Sequence, residues 1–277
     1  MLIAVSVVSA HLRETHERWK LEAIPWPEKA HPTAAGTLSM PSGAQGAVDL
    51  DWPKEGYALF DGDHRNLGPT FADTSRFGGF MFVLDPDTGR RVWLSDWGGY
   101  LATPSGFCFS DTRMYVADLE GSNIFEVDML EQPGRLLRRI SHSALNDVHY
   151  VVRTRRGLLV ASTGTDMVVE LDLQGNALFE WWAGDHGFTS TPAGIERLPK
   201  PGAEHRDRYY HTRYQTTHLN AARYRDEDET HLLVLLWHQG ALVEIDTTQP
   251  ANRQEPRVVL DGLHHPHSLR PLAGAGG

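Results

Sequence analysis

The sequence predicts an all-β protein, a β-propeller of four-stranded blades, five in number with six the alternative, its ring closed by N- and C-terminal strands. Three observations carry this. Helical periodicity is scarce, whereas short alternating apolar runs bounded by Gly, Asp, Asn and Pro recur throughout. One four-strand phrase returns along the chain. Its copies are spaced by roughly 40 to 50 residues, the spacing of propeller blades.

The chain begins "MLIAVSVVSAHLRETHERW". No Lys or Arg precedes the apolar run, so it reads as a strand rather than an export signal, and a cytoplasmic location is expected. "PEKAHPTAAGTLSMPSGAQG", residues 27–46, reads as a long connection. A weak copy of the repeat follows, "GYALFDGD" and then "GGFMFVLDPDTGRRVWLSDW", within residues 56–97. In the next copy, within 106–140, "MYVADLEGSNIFEVD" aligns without a gap on "LLVASTGTDMVVELD" of the clearest copy, 148–182. That clearest copy reads as strands "HYVVRT", "LLVAST", "MVVELD" and "ALFEWW", separated by turn residues. Adjacent strand residues face opposite sides, so at most one of Trp181 and Trp182 is expected in the core. Residues 186–217 read as a second long connection over one end of the channel, and "LLVLLWHQGALVEID", 232–246, is the last full copy. The terminal "HSLRPLAG" is one strand of a further blade, to be completed by "LIAVSVVS" as second strand and "RWKLEAIPW" later, which would remove exposed sheet edges. The whole of 1–277 is read as one domain.

Composition narrows the function classes. A formal charge of -10 repels phosphate backbones and anionic membranes, so neither nucleic acid nor membrane is an expected partner. No run approaches the 18 or so apolar residues of a membrane helix. One cysteine, Cys108, excludes an intrachain disulfide and a Cys-based zinc cluster; in an apolar strand pattern it reads as buried and inert. No "GxSxG", "GxGxxG" or "GxxxxGK" marks a serine hydrolase or nucleotide site. "HLRETHERW" lacks the spacing of "HExxH". The sequence leaves the oligomeric state open.

In a propeller the first strand of every blade lines the axis, so the residues leading into those strands converge. Aligning the copies puts Ser105, Asn146, Asn220 and His267 in one ring, and Thr103, Ala144, His218 and His265 in another. Asn and His also cap turns, and a channel is wet, so each residue alone has a purely structural explanation. The recurrence of His218, His265 and His267 at equivalent places is what points to chemistry.

These motifs resemble those of the gluconolactonase and strictosidine-synthase-like propellers over residues 100–270. The resemblance implies a metal-binding hydrolase in which asparagines and an acidic residue surround an axial divalent ion. Asn146 in "LND" and Asn220 in "HLNAA" match the asparagines, and His267 in "HPHSL" stands where that group has aspartate. Asp49 and Asp51 are candidates for its first-blade acid. "LNDVHYV" with "VVELDLQGNALFEWWAGDHGF" is also similar to arylsulfotransferase-type propellers, which use an axial histidine.

The expected function is metal-dependent hydrolase or lyase chemistry on a small-molecule substrate. His218, His265, His267, Asn146 and Asn220 are the candidate ligands. Their mixture of imidazole and amide oxygen suits zinc, iron, manganese or copper, with calcium the alternative. His149 is the candidate proton-transfer group, Arg223 the candidate anion clamp, and His218 a candidate catalytic base or nucleophile. Two alternatives stand: a metal-free histidine transferase using Arg223, Arg270 or Arg213, and a binding scaffold without chemistry.

Overall fold

The computed structural model describes residues 3–9, 52–53, 78–95, 100–101, 103–119, 121–130, 134–197, 202–210, 212 and 215–271. Short alternating runs become strands wherever a turn residue allows reversal, in chain order β1 (Ile3–Ser9), β2 (Trp52–Pro53), β3 (Gly78–Asp85), β4 (Arg90–Leu94), β5 (Pro104–Ser110), β6 (Arg113–Asp118), β7 (Asn123–Asp128) and β8 (Arg135–Ile140). There follow β9 (Val148–Arg153), β10 (Leu158–Ser162), β11 (Met167–Leu171), β12 (Ala177–Trp182), β13 (Arg208–Tyr209), β14 (Leu219–Tyr224), β15 (His231–Leu236), β16 (Ala241–Asp246) and β17 (Arg257–Leu260). The protein is all-β. Three antiparallel four-stranded sheets, β5–β8, β9–β12 and β14–β17, each follow chain order, as propeller blades do; β1, β3 and β4 form a three-stranded sheet, and β13 pairs with β2.

The sheets pack face to face in sequence order. Met81 and Trp93 of the three-stranded sheet meet Met114, Val116, Phe125 and Val127 of the next. Tyr115, Ile124 and Ile140 meet Val151, Val160, Val169 and Trp182 across the following interface. Leu159, Val168 and Trp181 meet Leu219, Val234 and Ile245 across the third. The sheet β9–β12 is therefore apolar on both faces, and both tryptophans are core: Trp181 is 1% and Trp182 8% exposed, on opposite sides. This corrects the expectation that only one could be buried, which assumed a sheet with one wet face.

The ring seam differs from expectation. β1 pairs along its length with β3, from Ile3 opposite Leu84 to Ser9 opposite Gly78, on the side of β3 away from β4. It thus joins the sheet of the weak copy rather than a terminal blade; "GYALFDGD" and "RWKLEAIPW" lie outside the described residues. Val5 packs on Phe80 and Phe82. The described part of "HSLRPLAG", to residue 271, contains no strand. No hydrogen-bonded join between the two ends is present among the described residues, which hold four sheets of three or four strands. No helix among them is long and apolar enough to cross a membrane.

A buried carboxylate ties two blades together at the channel. Asp166, 1% exposed and left-handed (φ 54°), ends the short turn between β10 and β11. Its oxygens accept from the backbone N–H of Thr216 (2.7 Å), Thr217 (2.9 Å) and His218 (2.9 Å), from Thr217 Oγ1 (2.7 Å), and from Arg197 (3.4 Å). The approach to β14 is thereby held by its neighbour. Removing one side of a buried, charge-assisted network leaves donors without acceptors. Asp166→Ala should lower unfolding free energy by about 3–5 kcal/mol, read from the midpoint of a urea titration.

Candidate functional site

Backbone geometry sets the register at the axis. Asp147, His218 and His265 are all left-handed, with φ of 50°, 48° and 47°, and mark the same turn in three segments. Val148 and Leu219 then open β9 and β14, and Pro104 opens β5. The second residues of these strands, Ser105, His149 and Asn220, are equivalent, with His267 two residues after His265. Relative to the sequence alignment, the β9 segment is displaced by three residues: His149 occupies the ring position assigned to Asn146, and Asp147 the position assigned to Ala144.

Three imidazoles converge there from three chain segments. The ring of His149 lies 5.0 Å from that of His218 and 5.7 Å from that of His267, centroid to centroid. Asn220, 1% exposed, reaches the same segment by donating from Nδ2 to Pro266 O (3.1 Å). Its Oδ1 is buried without a partner. Ser105 Oγ donates to Val148 O, closing the β5 side.

Hydrogen bonds fix the tautomers of two of these rings. Gln215, fully buried, donates from Nε2 to Asp147 Oδ2 (3.0 Å) and Tyr210 O (2.8 Å), so its Oε1 is the atom against His218 Nδ1. An amide oxygen only accepts, hence His218 carries its proton on Nδ1 and presents a bare Nε2. His149 Nδ1 lies 2.9 Å from Asp147 O, another acceptor, which leaves its Nε2 bare as well. Gln215 and Asp147 were not singled out from sequence; the spacing of "QTTH" was the available signal for Gln215.

Burial keeps His218 and His267 uncharged at physiological pH. Burial, and then the neighbouring His149, His238 and His267, push His218 down to about 2. Desolvation and the proximity of His149 lower His267 in the same direction, and burial lowers His238. Neutral imidazoles with bare nitrogens are ligands, nucleophiles or hydrogen-bond acceptors.

The remaining sequence candidates fall elsewhere. Asn146, fully buried, donates from Nδ2 to His205 O (2.5 Å) and Arg208 O (2.8 Å), while its Oδ1 lies where a side chain on Gly164 would stand, 1.9 Å from that glycine's missing Cβ. It fastens the long connection to β9. His265 stacks on Trp237 (4.2 Å, 15°), with His264 at 4.4 Å, forming an aromatic shelf beside His218, whose ring is 5.1 Å from Trp237. Arg223 lies five residues along β14 from His218, on the order of 15 Å at strand rise. It does not share the imidazole cluster. His205 is buried against Tyr210 and His186 stacks on Trp181, both as packing groups. The Cys108 thiol is pushed up to about 11 by burial, as an inert cysteine should be. Asp49, Asp51 and Arg213 are outside the described residues. Among the described residues no three His, Cys, Asp or Glu side chains already have the arrangement of a metal site.

The sequence matches no protein-family model and no curated protein. Solved structures to which the chain is similar include a glutaminyl cyclase of Myxococcus xanthus, at 13% identity over 65% of this chain and 61% of that one, TM-score 0.38. A putative 6-phosphogluconolactonase of Bacteroides uniformis aligns at 16% identity over 72% of this chain and 55% of that one, TM-score 0.42. Virginiamycin B lyase of Staphylococcus aureus aligns at 10% identity over 68% and 52%, TM-score 0.40. The chain spans less than two thirds of the length of each.

The lowered basicity of His218 has a stability consequence. A histidine lowered on folding binds its proton more readily when unfolded, so its contribution is full above about pH 6.5 and is lost as pH falls toward the folded value. With chelator present, unfolding free energy should drop by about 2 kcal/mol from His218 alone between pH 7.5 and 5.0. His218→Asn should flatten that slope in paired denaturant titrations, and an unchanged slope would contradict the assignment.

Proposed function

We propose that the channel end carrying His149, His218, His267 and Asn220 is the active site of a metal-dependent enzyme acting on a small molecule by hydrolase or lyase chemistry. The observation that supports this best is the pair of Nδ1 hydrogen bonds. Histidines that bind metals typically donate the other ring N–H to a carbonyl or amide, which fixes the tautomer and aims the lone pair. His149 and His218 both do so.

The donor set fits a borderline ion such as zinc, iron, manganese or copper, through three imidazoles and the partnerless amide oxygen of Asn220. When bound, such an ion supplies Lewis acidity, polarising a carbonyl or acidifying a water. His265 and Asn146 are left out of this set, since one is stacked on Trp237 and the other is tied to the long connection. Trp237 and His265 offer a flat wall against which an apolar or planar part of a substrate can lie. Gln215 and Asp147 act as positioning residues: they touch no substrate and hold His218 in one tautomer. The low basicity of His218 disfavours it as a proton acceptor.

Tag-free protein, reloaded with each of the four metals and dialysed, should retain about one equivalent by plasma mass spectrometry. A His149→Ala, His218→Ala, His267→Ala variant that still folds should lose at least tenfold, while His265→Ala should retain it. Equal metal in parent and triple variant would sink the reading. Gln215→Leu, which removes the acceptor from His218 Nδ1, should weaken metal retention severalfold.

A further inference from the structure

The inner strands that carry the imidazoles at one end carry arginines at the other. On β9, His149 is followed by Arg153; on β14, His218 and Asn220 by Arg223; on the C-terminal segment, His267 by Arg270. Arg153 and Arg223 line one cavity of about 150 Å³ between the ends of β9 and β14, together with Thr154, Tyr224, Asp226 and Glu229. At about 30 Å³ per liquid water, that is room for roughly five waters or one small oxyanion. Arg270 stands nearby, its Cζ 5.1 Å from the ring of Tyr150, whose hydroxyl donates to Leu269 O.

The charges here are unbalanced in their commitments. Arg113, Arg138, Arg156, Arg197, Arg225 and Arg257 all bond carboxylates. Among the described residues Arg153, Arg223 and Arg270 have no carboxylate partner; Arg153 donates to Thr154 O and Gly157 O, and Arg223 from Nε to Tyr224 O, at 3.4 Å. Of the carboxylates on the cavity rim, Asp226 is paired with cationic groups and Glu229 is held by a backbone N–H. Asp226 accepts from Thr230 N–H (3.2 Å) and faces His231 (3.0 Å) and Arg225 (3.6 Å), and Glu229 accepts from Arg155 N–H (2.8 Å). Among the described residues the guanidiniums of Arg153 and Arg223 thus outnumber the one rim carboxylate without a cationic partner, Glu229, in a protein whose net charge is -10.

We infer that this cavity is an oxyanion-binding site, in which the free nitrogens of Arg153 and Arg223 take a phosphate, sulfate or comparable group by forked hydrogen bonds, with Arg270 adding positive charge across Tyr150. It is separate from the imidazole cluster and does not depend on metal binding there. The anion is either free or a group on a larger molecule.

Isothermal titration of metal-free protein with inorganic phosphate, at constant ionic strength against chloride, tests it. Saturable binding is expected, weakened at least tenfold in Arg153→Gln/Arg223→Gln and severalfold in Arg270→Gln, with Arg253→Gln, an exposed residue away from the cavity, unchanged. If the double variant fails to fold, Arg223→Lys, which keeps charge but loses the fork, should give an intermediate affinity. Glycerol 2-phosphate in a parallel arm separates the sources: tighter binding than phosphate identifies a group on a larger molecule, and equal binding a free anion. Absence of saturation, or equal weakening in Arg253→Gln, overturns the inference.

Discussion

The carboxylate of Asp166 is the constraint on which the channel end depends. It belongs to one blade and holds the backbone of the next, accepting from three successive N–H groups of the chain entering β14. Those groups point one way only when the chain curls around an acceptor. That curl places His218 left-handed and brings Gln215, three residues earlier, under its Nδ1. Gln215 in turn reaches Asp147 on β9. Two blades therefore meet through a side-chain hydrogen bond at the same point where their imidazoles meet, and Gln215, which orients His218, is itself held by Asp147 of the neighbouring blade.

The blades themselves were legible because their cause is local. Alternation of apolar residues and a Gly, Asp or Asn at each reversal recur in every copy, and the strands of 148–182 fall where the runs predict. Pairing over long separations has no such local signal: nothing in "IAVSVVS" names Gly78–Asp85 as its partner, since any alternating strand satisfies the same face. Trp181 and Trp182 show the same limit. Alternation told that they point apart, but only the stacking of sheets on both sides decided that both are buried.

The site was legible as a neighbourhood rather than as a register. "HLN" and "HPH" carry similar letters, and His218 and His265 share a left-handed backbone. The β9 segment was aligned through the asparagine of "LND", whereas the backbone matches through the aspartate that follows. Side-chain identity suggested one alignment, and φ imposed another. A purely chemical comparison of motifs misses that Asp147 and His218 are alike in conformation while unlike in charge.

The left-handed residues carry an implication for the energetics of the whole chain. An L-residue with a Cβ in that region is disfavoured by roughly 1–2 kcal/mol, a large share of a total stability that is typically about 5–15. Glycine has no such penalty, and the chain uses it in several other left-handed turns, as at Gly175 and Gly240. At the head of β14 and of the C-terminal segment it keeps histidine instead. Any redesign guided by folding energy alone would replace His218 and His265 first, and would produce a sturdier protein with a blank channel.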